Sequence, residues 1–128
     1  DNATIVGVTL KIKRRVVVGS DPFVTHGNIV VDIRQGSFGR PALQLGDFNA
    51  PASQSNVGQI SGVMDAGGWY STVLSEEAFG FVNKTGVTQF RLGFFKDDDD
   101  DMQADVVRFF SGNAAKAYRP VLIVYYLP

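Results

Sequence analysis

Alternation of apolar and polar residues restricts the fold of this chain more than any other feature. Between residues 6 and 13 every even-numbered residue is valine, leucine or isoleucine, and every odd-numbered residue is glycine, threonine or lysine. Weaker forms of the pattern recur at 29–34 and 88–95. A period of two is typical of a β-strand with one face buried and one face in water. We therefore predict strands in these three segments, the first over about residues 4–17.

Short β-rich segments separated by turn residues account for most of the remaining chain. We predict further strands at about 57–63, 68–74, 104–110 and 120–127. The only helical signal is Ser75–Phe79, where an N-cap serine precedes two glutamates, and it predicts a single turn. Residues 36–56 are rich in Gly, Pro, Asn and Ser, and we expect a long connection packed through Phe38, Leu43, Leu45 and Phe48.

Together these elements predict one all-β domain over residues 1–128, an antiparallel β-sandwich of jelly-roll type. The length of 128 residues is enough to bury a core without disulfides, and the chain has no cysteine. The residues expected in the core are Val8, Leu10, Ile29, Val31, Ile33, Phe90, Leu92 and Val124.

Charge is segregated along the chain. Asp97–Asp101 supply five of the 13 acidic residues, so the rest of the chain has eight acidic residues and 12 lysines and arginines. This division does not produce the uniformly basic surface of a nucleic-acid-binding protein. We therefore expect no nucleic-acid binding. No apolar run reaches the length needed to cross a bilayer, so we also expect no membrane insertion.

The aspartate run suggests a cation site. Asp97, Asp99 and Asp101 alternate and Asp105 follows closely, so these four carboxylates are candidate ligands of a structural Ca²⁺ ion, which prefers oxygen donors. The run does not match an EF-hand, because Met102 and Arg108 stand where that loop requires glycine and glutamate. The alternative is a solvated turn whose repulsion discourages edge-to-edge pairing of strands. Both interpretations remain open here.

Residues for catalysis are scarce. His26 is the single histidine, and the chain has no cysteine and no Gly-x-Ser-x-Gly motif to supply a nucleophile that it could activate. Pairs of carboxylates for glycoside hydrolysis have no supporting spacing. We therefore expect no enzyme. Trp69 and Tyr70 are candidate ligand-binding residues, because an exposed aromatic ring can stack on the apolar face of a sugar.

Several motifs together resemble a known family. They are Gly86-Val-Thr-Gln-Phe-Arg-Leu92, the acidic turn, Phe109-Phe-Ser-Gly-Asn113 and Tyr118-Arg-Pro-Val-Leu-Ile-Val-Tyr125. They are similar to the end of the DNRLRE-type, carbohydrate-binding-module-like β-sandwich domains of secreted bacterial and archaeal proteins. The resemblance implies a secreted or cell-surface module without catalytic residues, acting in binding or as a spacer, with Ca²⁺ as a structural ion.

One departure from that family shapes the functional hypothesis. Similar domains carry several tens of residues before the position of Asp1, and those residues supply the opening strands. We therefore expect this chain to be the C-terminal part of a larger secreted domain or protein, or to receive a strand from elsewhere. The leading hypothesis is a structural or adhesive module that forms oligomers or filaments with copies of itself or with a partner's complementing strand. The alternative is a carbohydrate-binding module attached to a secreted enzyme, with a polysaccharide as partner.

Overall fold

The computed structural model describes residues 3–96 and 100–128. Within them the chain forms seven strands: β1 (Thr4–Gly19), β2 (Ile29–Gln35), β3 (Gln54–Ile60), β4 (Trp69–Val73), β5 (Thr88–Phe94), β6 (Asp105–Phe109) and β7 (Val121–Leu127). Helical structure in this part of the chain consists of α1 (Pro22–Thr25) and three 3₁₀ turns, Leu45–Phe48, Glu76–Phe81 and Lys116–Tyr118. In these described residues no helix has the length and apolar character needed to cross a membrane. The predicted all-β sandwich is confirmed: the strands form two antiparallel sheets.

The first sheet is built around the long strand β1, which pairs with β4, β6 and β7. Arg14 donates its backbone N–H to Gly68 beside β4, whereas the carbonyl of Lys13 accepts from Phe110 beside β6. The N–H and C=O of one trans peptide point in opposite directions, so β4 and β6 lie on opposite edges of β1. Strand β7 pairs with Thr4–Lys11 of β1, and β4 pairs with Thr9–Lys13. Strands β7 and β6 therefore lie on the same edge of β1, opposite β4, with β7 along the first part of β1 and β6 along the last part.

The second sheet has the order β3-β2-β5, with both neighbours antiparallel to β2. Strand β3 faces β4 of the first sheet, since Ser75, just after β4, donates its N–H to the carbonyl of Val57 at 2.8 Å. The two sheets are therefore closed along the β3 and β4 side. Strands β5 and β7 form the opposite side of the sandwich.

The core lies between the two sheets. Val8, Leu10, Ile29, Val31 and Ile33 are buried as predicted. Phe90 and Leu92 pack against this cluster but are only partly buried, and Val124 on β7 is also half-buried. The predicted core is thus confirmed near β1 and β2, and it thins toward the side formed by β5 and β7.

Local sequence explains how β1 ends. Gly19 has a φ of +74°, and a Cβ there would lie 1.8 Å from the carbonyl oxygen of Ala104. Only glycine permits this conformation and this approach. Asp21 then caps α1 by accepting the N–H of Phe23 at 3.0 Å, and Pro22 occupies the first helical position, which suits its fixed φ.

The long connection differs from the prediction. Phe38 is buried as expected, but Leu43, Leu45 and Phe48 are 83%, 89% and 65% exposed. The expectation that they pack inside the domain is therefore wrong. The segment lies at the open edge of β5, where no other element among the described residues covers these side chains.

Candidate functional site

Tyr70 is not a surface residue. Its exposed fraction is 0%, and its ring lies 4.8 Å from that of Phe23 and 5.9 Å from that of Phe109, measured between centroids. Position 70 pairs with Ile12, so its side chain points into the core. The prediction that Tyr70 binds a ligand is therefore wrong, because no sugar can reach this ring.

Trp69 lies on the outer face of the first sheet, half-buried under two lysines. The ammonium groups of Lys11 and Lys13 are 5.5 Å and 5.8 Å from the centre of its ring, distances typical of cation–π contacts. Lys13 also donates to the carbonyl of Gly67. The N–H of Trp69 holds the pKa of the Asp65 carboxyl below its usual value, with Gly67 and both lysines acting in the same direction and desolvation opposing them. Because the two lysine ammonium groups lie over the indole of Trp69, this ring is accessible only in part.

The four candidate calcium ligands do not behave alike. Asp97 and Asp99 lie outside the described residues. Asp101 is exposed and accepts the N–H of Gln103 at 2.8 Å. Asp105 is in β6 with its side chain only 5% exposed, and one of its oxygens lies 3.8 Å from Nδ1 of His26. Within residues 3–96 and 100–128 no three His, Cys, Asp or Glu side chains are grouped as a metal site would require.

A melting experiment tests the calcium prediction. If Ca²⁺ binds only the folded state, a hundredfold excess over its dissociation constant raises the free energy of unfolding by about 2.7 kcal/mol. For a domain of this size the melting temperature should rise by roughly 10 °C relative to the same sample with chelator. The measurement is thermal unfolding followed by circular dichroism, with Mg²⁺ as the control. Coincident curves with Ca²⁺ and chelator would leave the solvated turn as the interpretation.

His26 has a structural environment. Its Nδ1 lies 2.7 Å from the hydroxyl of Thr25, and its ring centroid is 6.1 Å from that of Phe94. Together with Asp105 it connects the end of α1 to the start of β6. This histidine thus joins elements at one end of the sandwich.

The open edge of β5 is the feature that sequence reasoning did not locate. Gly36 donates its N–H to Val87 and Phe95 donates to Asn28, which places the odd-numbered residues of this strand in hydrogen bonds with β2. Successive residues of a strand point their backbone groups to opposite edges. The N–H and C=O groups of Phe90 and Leu92 therefore face away from β2, where no strand among the described residues pairs with them.

An apolar slot of about 580 Å³ runs along this edge. Five consecutive residues of β5, Thr88–Leu92, form its floor. The inner wall comes from the first sheet through Leu10, Ile12 and Pro120, and the outer wall from the long connection through Phe38, Leu43 and Phe48. The cavity therefore lies along the edge of β5 with which no described strand pairs.

Arg91 holds the outer wall in place. Its guanidinium donates to one oxygen of Asp32 at 2.8 Å and 3.2 Å, and to the backbone carbonyls of Asp47 at 2.9 Å and Ala50 at 2.6 Å. It also stacks over Phe38, 4.6 Å from the ring centre. Asp32 in turn accepts the N–H of Asn56 at 2.9 Å. One side chain of β5 therefore fixes both ends of the wall against the second sheet.

Strand β7 forms the other rim of the open side. It pairs with β1 alone among the described strands, and a second apolar hollow of about 490 Å³, lined by Ile5, Val82, Val124 and Tyr126 among others, lies beside it. Its sequence Val-Leu-Ile-Val-Tyr-Tyr-Leu has no charged or strongly polar position, so both faces are apolar. This absence of alternation is the one signal in the sequence that could have indicated the open side.

Comparison of the chain with protein-family models, with curated proteins and with solved structures found no match. The arrangement of its own residues is therefore the basis for a functional proposal.

Proposed function

We propose that this chain is a non-catalytic structural and adhesive module, completed by a β-strand that adds to the open edge of β5. The observation that carries the proposal is the apolar slot whose floor is five consecutive β5 residues. A strand seated there would pair with the backbone groups of Phe90 and Leu92 and place alternate side chains against the two walls. This is β-augmentation, in which backbone hydrogen bonds contribute affinity and side-chain pockets contribute specificity.

The properties of the incoming strand follow from the slot. Strand β5 has seven residues, so a matching partner strand extends for roughly 24 Å. Both walls are mostly apolar, so the residues on either face of the incoming strand should present methyl groups to them, as valine and threonine both do. Of the polar residues that line the slot, Arg91 has its donors engaged by Asp32, Asp47 and Ala50, and the carboxylate of Asp47 accepts the N–H of Gln44.

The cellular setting is part of the same proposal. A secreted or cell-surface location, with an adhesive or spacer role, is proposed only because the sequence motifs similar to those of DNRLRE-type domains imply it; comparison with family models found no match. Exposed edge strands promote association, which suits a module whose role is to hold chains together.

A peptide-binding experiment tests strand acceptance. The probe is a fluorescein-labelled peptide of seven alternating valines and threonines with lysines at both ends for solubility. We expect saturable binding to the full chain by fluorescence anisotropy, at protein concentrations at which the chain is monomeric. Hydrogen exchange should slow at the amides of Phe90 and Leu92, which face the slot, and stay unchanged at Gln89 and Arg91, which already face β2.

Matched variants and a matched peptide complete this experiment. Phe48→Lys, on the outer wall, should weaken peptide binding at least tenfold, whereas Val63→Lys, at an exposed site between β3 and β4, should leave it unchanged. A peptide with proline at its central positions lacks the backbone donors and should not bind. Equal binding of the proline peptide, or no change in exchange at Phe90 and Leu92, would contradict strand addition at β5.

Carbohydrate binding is the second candidate function. The observation in its favour is Trp69, a half-buried indole on an outer sheet face beside Lys11 and Lys13. It ranks below strand acceptance because the lysine ammonium groups lie over the ring that a sugar would need to stack on.

A further inference from the structure

The strand-accepting function proposed above leaves the source of the strand open, and β7 itself points to an answer. Resting on that function, we infer that the partner is a second copy of this chain, and that the strand added to β5 of one copy is β7 of the other. The two copies would be related by a two-fold axis, so that each copy gives one strand edge and receives one.

The first argument is the composition of β7. Along β1 the outward positions are Thr9, Lys11 and Lys13, as expected for a face in water. The outward positions of β7 on the same sheet face are Val121, Ile123, Tyr125 and Leu127. Tyr125 and Leu127 are 54% and 59% exposed. Strands that are apolar at every position are typical of strands covered on both faces, so the outer face of β7 requires a cover that one copy does not provide.

The second argument is that one copy exposes a suitable cover. Leu43, Leu45 and Phe48 project from the outer wall of the slot with most of their surface in solvent. A strand pairing with β5 lies directly under this wall. If that strand is β7 of a second copy, its apolar outer face meets the exposed side chains of the wall, and both surfaces leave water together.

The third argument is geometric. His26 comes just before β2 and lies 3.8 Å from Asp105, which pairs with Gly19 at the end of β1, so β2 begins where β1 ends. The two strands therefore run in opposite directions. Since β5 is antiparallel to β2 and β7 is antiparallel to β1, β5 and β7 also run in opposite directions.

This relation allows both edges to pair at once. A two-fold rotation about an axis along the strands keeps the direction of every strand and exchanges the positions of the two sheets. It places β7 of each copy antiparallel to β5 of the other, with the inner faces of the joined sheets on the same side. Both strands have seven residues, so the edges match in length. Self-complementary contacts of this kind close as a dimer and do not propagate.

The molar mass of the full chain in solution is the first test. Sedimentation equilibrium or light scattering should give twice the monomer mass of 13.9 kDa. Phe48→Lys on the wall and Tyr125→Asp on β7 should each shift the chain to monomer, raising the dissociation constant at least a hundredfold. Val63→Lys and Val73→Asp carry the same changes at exposed sites away from the open side and should remain dimeric.

Mixing the two interface variants gives the decisive result. A heterodimer of Phe48→Lys and Tyr125→Asp has one junction with native side chains and one that opposes lysine to aspartate. We expect the mixture to regain dimer while each variant alone stays monomeric. This rescue also shows that both variants are folded, so misfolding does not obscure the outcome.

The other outcomes are distinct. A monomeric wild-type chain that still takes up the alternating peptide would overturn the two-fold dimer and leave strand acceptance intact. Association into filaments of increasing mass would overturn the closed two-fold arrangement, since only head-to-tail contacts propagate. A wild-type dimer that Tyr125→Asp does not affect would overturn the assignment of β7. In the wild-type dimer β7 fills the slot and competes with the peptide, so Tyr125→Asp, a monomer with an unaltered slot, should bind the peptide more tightly than wild type. A folded Tyr125→Asp monomer that does not take up the peptide would contradict the proposed function itself.

Discussion

Replacing Tyr70 with alanine is expected to lower the free energy of unfolding by about 4 kcal/mol, as for other large aromatic side chains removed from a core. Tyr70 is fully buried and contacts the rings of Phe23 and Phe109, so its removal leaves a cavity between β4, α1 and β6. Chemical denaturation followed by circular dichroism measures the change. A loss below about 1 kcal/mol would contradict the position of this ring in the core.

Tyr70→Phe is the matched control, because it keeps the ring and removes only the hydroxyl. The hydroxyl oxygen is buried without a well-formed hydrogen bond, so its removal should change the unfolding free energy by less than about 1 kcal/mol. Burial raises the pKa of this hydroxyl, with the charge of Arg14 opposing the effect. The folded state therefore keeps this proton up to a higher pH than the unfolded state does. The resulting contribution to the free energy of unfolding is fully present below about pH 10, the pKa of an unfolded tyrosine, and is lost as the pH rises further. Tyr70→Phe should lose this alkaline decline.

Arg91→Ala is expected to lower the free energy of unfolding by about 3 kcal/mol and to weaken peptide binding in the slot. The substitution leaves the carboxylate of Asp32, whose side chain is only 18% exposed, without its ion-pair partner, and it releases the carbonyls of Asp47 and Ala50. Removing one member of such a pair typically costs several kcal/mol because the remaining charge stays desolvated. The measurement is chemical denaturation, combined with the anisotropy titration described above.

Arg34→Ala is the control for this substitution. Arg34 lies on β2 and makes a single exposed bond, to the carbonyl of Pro51 at 3.3 Å, so its removal should cost less than about 1 kcal/mol. Equal losses for Arg34→Ala and Arg91→Ala would show that Arg91 has no special role in anchoring the wall.

Trp69 and Tyr70 show a property that the sequence alone does not predict, namely which face of a strand is buried. Adjacent residues of a strand point to opposite faces, so only one of the two could be in the core. Which one depends on the register of β4 against β1, where Trp69 pairs with Lys13 and Tyr70 with Ile12. That register is a long-range pairing that neither strand specifies alone.

The connection between β2 and β3 illustrates a second limit. Its apolar residues predicted packing, because apolar side chains in a loop usually anchor it to a core. Phe38 does so, but Leu43, Leu45 and Phe48 project into solvent at the rim of the slot. An apolar residue in a sequence indicates that burial is favourable, but it does not indicate whether the same chain supplies the partner surface.

The sequence by itself determined the all-β class, the approximate bounds of the strands and the core residues of β1 and β2, because period-two alternation is a local property that each strand carries on its own. Only the tertiary structure decided that β5 and β7 border the same open side, that Arg91 anchors one wall of the slot and that Tyr70 is buried. These features depend on which strands become neighbours. The physical reason is that strand pairing and sheet stacking join residues far apart in the chain, and their energies are shared between segments that show no sign of one another in the sequence.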